Sequence, residues 1–223
     1  MKRYLIITLS MLFCASVWAQ DSFVSKRLES NLTIGAGLFG ETGDQARNLF
    51  QGAVLRLSYG LDIKLGGNWS VMPGVGTRTQ IGNVNRIGSV GGDMEEMSLA
   101  DFFCQARYHF ESPEGKRMVV YIGPQFSYST LPDTYYIDWD PSHPLAGKEK
   151  FERWDVGLQP GIVIQSGKHW QWGIEASVGL RNMLLQYPEL DVTGSVHLHN
   201  LMVRFGWRFG YSLREETSFR EFS

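Results

Sequence analysis

The amino-acid sequence predicts an all-β fold: an eight-stranded antiparallel up-and-down transmembrane β-barrel preceded by a signal peptide. Three observations carry that expectation. Apolar and polar residues alternate over long stretches, the period of strands whose two faces meet different surroundings. The links between those stretches switch between tight turns and long polar loops, the layout of an outer-membrane barrel. A basic, then apolar, then small-residue segment opens the chain, as in a secretory leader.

That leader comes first. Lys2 and Arg3 precede the apolar run Tyr4 to Phe13, and Ala15-Ser16-Val17-Trp18-Ala19 supplies small residues before Gln20. The run falls short of the roughly 20 residues a spanning helix needs. Residues 1–19 are therefore expected to be cleaved and residues 20–223 exported. Bulky Phe13 before Cys14 argues against a lipoprotein, and loss of Cys14 leaves Cys104 as the lone thiol. A 43% hydrophobic, 13% aromatic composition excludes a disordered chain. A formal net charge of -2 gives no footprint for nucleic acid.

The strands follow in order. Residues 31–39 and 53–65 form the first pair. From Trp69 to Gly82 one face reads Trp69, Val71, Pro73, Val75, Thr77, Thr79, Ile81 and the other Ser70, Met72, Gly74, Gly76, Arg78, Gln80. Residues 98–110 and 117–131 come next. The stretches from Trp154 to Gln165, Trp170 to Arg181 and Leu201 to Tyr211 alternate as strictly as the third. Gly66-Gly67-Asn68, Ser112-Pro113-Glu114-Gly115 and Ser166-Gly167-Lys168 have tight-turn chemistry. The links 40–52, 83–97, 132–150 and 186–197 are long and polar. Strands thus lie within about 31–211, with 212–223 as a periplasmic tail.

Two barrels share this pattern, and they differ in which face is inside. A soluble periplasmic lipocalin-like barrel points its apolar face at a ligand, whereas a membrane barrel points it at lipid. The long unbroken apolar faces favour lipid, and so does the aromatic placement. Trp69, Tyr108, Phe110, Trp170, Trp172, Phe209 and Tyr211 gather beside the tight turns, as an interfacial belt does. Phe102, Tyr128 and Trp154 stand near the long-loop ends. The opposite faces carry Arg56, Lys64, Arg78, Arg107, Arg153, Arg181, Arg204 and Arg208 against Asp62, Asp101, Asp155 and Glu175. Eight strands leave room only for side chains, so these groups are expected to plug the barrel, with some of the excess cations at solvated rims; a narrow channel is the alternative.

With leader, strands and turns in place, the chain resembles the PorT-type outer-membrane barrel family of Bacteroidetes. Asp155-Val156-Gly157-Leu158-Gln159-Pro160-Gly161 is similar to that family's D-x-G-x-x-x-G hairpin. Trp172-Gly173-Ile174-Glu175-Ala176 and Gly179-Leu180-Arg181-Asn182 are similar to its second strand, and Val203 to Phe209 to its last. The likeness spans nearly the whole exported chain. It implies the barrel fold, an outer-membrane location and a link to secretion or envelope maintenance. The tail Leu213 to Ser223 departs from the common barrel ending on an aromatic of the last strand.

Residues with chemical potential are few, and none is assigned a catalytic role. Asp138, Asp140, Ser142 and His143 crowd the third long loop, where an outer-leaflet hydrolase or acyltransferase would place its groups. Adjacency alone does not set a nucleophile against a base, and a solvated turn has the same composition. His197 and His199 share a strand face but lack an evident third ligand, so no metal and no cofactor is expected. His109 falls on the inward face. Tyr135, Tyr136, Asp138, Trp139 and Asp140 form the most distinctive loop feature, with the residue types of binding hot spots. The expected partners are outer-membrane lipid and, at this loop, a surface protein, glycan or lipopolysaccharide, with the barrel a monomer.

Overall fold

Alternation becomes strand pairing in the computed structural model, which describes residues 28–44, 52–82, 95–111, 117–129, 152–188 and 193–209. The strands are β1 (Leu28–Thr42), β2 (Gly52–Gly66), β3 (Trp69–Gly82), β4 (Glu95–Glu111), β5 (Arg117–Ile122), β6 (Pro124–Ser129), β7 (Trp154–Leu158), β8 (Gly161–Ser166), β9 (Trp170–Gly179) and β10 (His197–Phe209). Ten segments make eight staves. Tyr121 pairs with Gly161 and Pro124 with Leu158 in one unbroken antiparallel register. The gaps fall at Pro124 and Pro160, which have no N–H for the ladder. Around them Gln159 N donates to Gly123 O (2.8 Å) and Ala176 N to Pro160 O (2.9 Å). So β5 with β6 is one stave and β7 with β8 another.

The sheet closes because β1 pairs with both β2 and β10, and β10 pairs with β9. A path leaving β1 at Asn31 passes Gly60, Gly74, Phe103, Gln125, Gly157 and Gly179. The neighbouring Val178 pairs with His199, which returns to β1 at Gly40 rather than at Asn31. That stagger is what tilts the strands of a closed barrel. The β2–β3 and β8–β9 links are tight turns in which Gly67 (φ 55) and Gly167 (φ 62) take the left-handed conformation. Strands β1, β2, β4 and β10 run further toward the long-loop end than the alternation indicated. The expected 40–52, 83–97 and 186–197 links are shorter accordingly.

Burial shows which face is inside. Ile34 and Phe205 point outward, 58% and 56% exposed, while Arg107 and Asp101 point inward, 0% and 1% exposed. An apolar surface around a charged interior is the inverse of a lipocalin, and it suits hydrocarbon. Trp69, Tyr108 and Phe110 meet edge to face at 4.9 and 4.7 Å, and Trp170 meets Trp207 at 4.4 Å, all at the tight-turn end. Trp172 is exposed on the same outer surface and Phe209 half-buried. Tyr211 lies outside the described residues. Near the long loops Phe126 stacks on Trp154 at 5.8 Å. Cys104 is exposed on the outer face.

Packing inside depends on glycines facing large side chains. A Cβ at Gly161 would stand 2.3 Å from the Tyr121 ring, and one at Gly74 2.3 Å from the Phe103 ring. Both are closer than carbon atoms pack. Gly161→Val should therefore displace Tyr121 and cost about 1–3 kcal/mol, the usual penalty of overpacking. A lowered urea midpoint of the folded barrel in detergent or vesicles measures it, with Gly167→Val, built in open space but at positive φ, as a comparison.

Candidate functional site

The interior site is built around Glu175 of β9. Its carboxylate accepts Arg204 Nη1 (2.6 Å) and the Tyr121 hydroxyl (2.7 Å), and Arg56 Nη1 at Oε1. Arg204 also donates to Thr33 Oγ1 (3.2 Å). Arg56 reaches a second anion, with its Nε 3.3 Å from Asp101 Oδ2. Asp101 in turn accepts Arg78 Nη2 (3.3 Å), Gln125 Nε2 (3.1 Å) and Ser127 Oγ (2.7 Å). The network thus ties β1, β2, β3, β4, β5, β6, β9 and β10 through the lumen. Gln105 donates to Gln159 (3.0 Å) and adds the stave of β7 and β8.

Toward the tight-turn end Arg107 pairs with Asp62 (2.7 Å), and Arg208 approaches Glu29 (3.4 Å) and Gln165 (3.1 Å). Arg208 also donates to the carbonyls of Gly167 and Lys168, which fastens the β8–β9 turn. Ser70 Oγ lies 2.7 Å from His109 Nε2, and Asp62 lies 4.0 Å from that same nitrogen. A relay needs the serine and the acid on opposite ring nitrogens. This trio shares one nitrogen, and its serine is buried.

Three of the eight cations stand at the rims, as their excess over the acids required. Arg153 and Arg181 have inward parity but stand half-buried at the loop end of the barrel. Arg181 pairs with Glu152 (2.8 Å), and its guanidinium lies 3.4 Å from the Trp154 ring centre. Lys64 is exposed at the tight-turn end. Conversely, Glu29 and Glu41 are buried. The excess of basic groups inferred from the pattern disappears once these two acids are counted and the three rim cations removed. Both acids share the odd-number parity of the inward β1 face, so extending that strand by two residues at each end would have found them. Tyr121, the hydroxyl at the centre of the network, also has inward parity. Asp155 is buried beside Gly179.

Above the charges, at the long-loop end, the lumen turns apolar. Phe39, Val54, Met97, Leu99, Leu198 and Met202 from four staves meet Met183, Leu184 and Val196 from the β9–β10 link. Val54, Leu99 and Met202 are each two residues from a charged member of the network, so the two layers touch. Asn182 holds the link in place. Its Oδ1 accepts Leu184 N (3.0 Å) and Val196 N (2.9 Å), and its Nδ2 donates to Gly194 O (2.9 Å). No sequence signal marked this layer, because its loop residues follow no strand period.

Of the remaining candidates, His197 and His199 lie on the outer face of β10, and His199 Nε2 is 2.5 Å from Thr42 Oγ1. Tyr135, Tyr136, Asp138, Trp139, Asp140, Ser142 and His143 lie outside the described residues. The arrangement of the described site is that of a strut: Glu175 and Asp101 are each held by several donors, and Arg56 joins them across staves that are not neighbours. Glu175→Gln should leave Arg204 without a counter-charge and Arg56 with Asp101 alone, and cost about 3–5 kcal/mol, the usual loss when one partner of a buried pair is removed. Its urea midpoint against wild type, with Glu111→Gln in the exposed Arg117 pair as control, measures this.

Among curated proteins there is no sequence match. Ail, the attachment invasion locus protein of Yersinia pestis, aligns with 82% of this chain and 99% of its own at 15% identity and a TM-score of 0.44. Neisserial surface protein A aligns with 81% of this chain and 97% of its own at 10% identity and 0.47. OprG from Pseudomonas aeruginosa aligns with 82% and 96% at 11% identity and 0.43. Residues 18–185 match the family described as the outer membrane protein beta-barrel domain, most of the chain, and the protein belongs to that family.

Proposed function

We propose that this outer-membrane barrel has a structural or interaction role, in which a rigid body holds long loops at the cell surface. The observation that carries the reading is the filled lumen. Paired charges brace the staves and an apolar layer covers them, so the resting barrel offers its rim and loops for contact. Export through the leader 1–19 and termini in the periplasm complete the reading, because both ends of the described chain lie at the tight-turn end. The likeness to the PorT-type family extends it to secretion or envelope maintenance. Non-enzymatic action suits a Glu175 carboxylate that is already held by Arg56, Arg204 and Tyr121.

The third long loop is the proposed contact, with Tyr135, Tyr136 and Trp139 as anchors flanked by Asp138 and Asp140. Truncating a hot-spot residue commonly costs about 2 kcal/mol or more. The triple alanine variant should therefore bind lipopolysaccharide, or a glycan found on an array, at least about tenfold more weakly than wild type, a loss of about 1.4 kcal/mol or more. Both proteins should keep the gel shift between boiled and unboiled samples in the outer-membrane fraction. Unchanged binding by a correctly folded variant would remove this loop from the contact.

A further inference from the structure

The lumen is polar along most of its length; besides a small Val119, Tyr121 and Val163 cluster between two adjacent staves, its apolar groups gather in one layer at the long-loop end. Near the tight-turn end, Asp62 Oδ1 and Arg107 Nη2 have no hydrogen-bond partner among the described residues. At mid-barrel the same holds for Gln105 Oε1 and Arg78 Nε, and higher up for both ends of Gln80 and of Asn200. All six side chains are more than nine-tenths buried. Groups so placed in native interiors are satisfied by internal water. In register, Gln80 stands beside Val54 and Met97, and Asn200 beside Phe39, so the polar line reaches into the apolar layer.

We propose that the barrel encloses a narrow hydrated path for water and small ions, and that Met183 and Leu184 are its stopper. Apolar constrictions block conduction by excluding water, without any charge barrier. Met183 and Leu184 are fully and almost fully buried in that layer, yet neither belongs to the eight staves. They come from the β9–β10 link and are seated by Asn182, with Met183 N donating to Val196 O (2.8 Å). Gln186 Nε2 also donates to Leu184 O (3.0 Å) and to Gly194 O (2.8 Å), so two amide side chains hold the closed state, and both can be removed without touching the charged network. Below the stopper, groups of both signs line the lumen, so the path should distinguish poorly between small cations and anions. This proposal stands apart from loop binding and does not depend on it.

The test is conductance of the purified full-length barrel in planar bilayers bathed in potassium chloride. Wild type should be silent or open briefly. The double variant Asn182→Ala with Gln186→Ala, and the pair Met183→Ser with Leu184→Ser, should be open at least about tenfold longer, as expected when ordinary hydrogen bonds no longer favour closure. Each variant is first shown to be folded by its boiled-versus-unboiled gel shift. Equal conductance in wild type and variants, or silence in folded variants, would overturn the stopper. A second readout uses Ser177→Cys in a Cys104→Ser background, a thiol paired in register with Asn200. A small charged thiol reagent added outside intact cells should label it only when Met183 and Leu184 are serine. No labelling in the folded serine variant would overturn the hydrated path. Lipopolysaccharide and glycan binding by wild-type loops is read separately, so either proposal can fail alone.

Discussion

A backbone amide in hydrocarbon has no water to replace a missing partner, and an unpaired one costs several kcal/mol. Every other property of this chain follows from meeting that constraint with strands. Pairing of β1 with β10 removes the edges, and closure fixes the radius. At eight staves that radius leaves room for side chains and little else. The prolines show how narrow the tolerance is. Pro73 and Pro124 are exposed on the outer face and Pro160 half-buried, and the register is unbroken across Pro124 and Pro160, although each residue removes a donor.

The small radius brings inward groups from distant staves within reach of one another, and that is why the interior works as a brace. Arg56 touches carboxylates from β4 and β9, which are not its neighbours in the sheet. Exposed ion pairs such as Arg117 with Glu111 are held by one contact in high dielectric and contribute little. Buried Glu175 and Asp101 are each held by several donors. Closure at the loop end is of a different kind, made by methionines and aliphatics with no direction of their own. The loop residues among them are positioned by the hydrogen bonds of Asn182 and Gln186 instead.

The fold was largely legible in the sequence, because a two-faced strand must alternate and this chain does so for most of its length. Both faces of β3, β9 and β10 follow from parity alone. The charged interior was legible in part, since parity says which way a side chain leaves the backbone but not where a stave ends. Glu29, Glu41, Lys64, Arg153 and Arg181 all sit at or beside stave ends, where parity does not separate lumen from rim. The centre of the network was hidden differently. Tyr121 was passed over because aromatics on a membrane barrel are looked for outside. Met183 and Leu184 were invisible to any period, because tertiary closure rather than strand geometry puts them inside.

Consider the network from the standpoint of a barrel not yet finished. Glu175 lies on β9, while Arg56 and Arg204 come from β2 and β10, near opposite ends of the sequence. No single hairpin contains an anion together with all its cations. A partly assembled sheet would carry guanidinium groups toward hydrocarbon with their counter-charges still missing, and each such group is expensive there. Entry into the bilayer and joining of the first strand to the last are therefore one cooperative event for this chain. The same charges that brace the finished barrel make its intermediates unsafe in lipid.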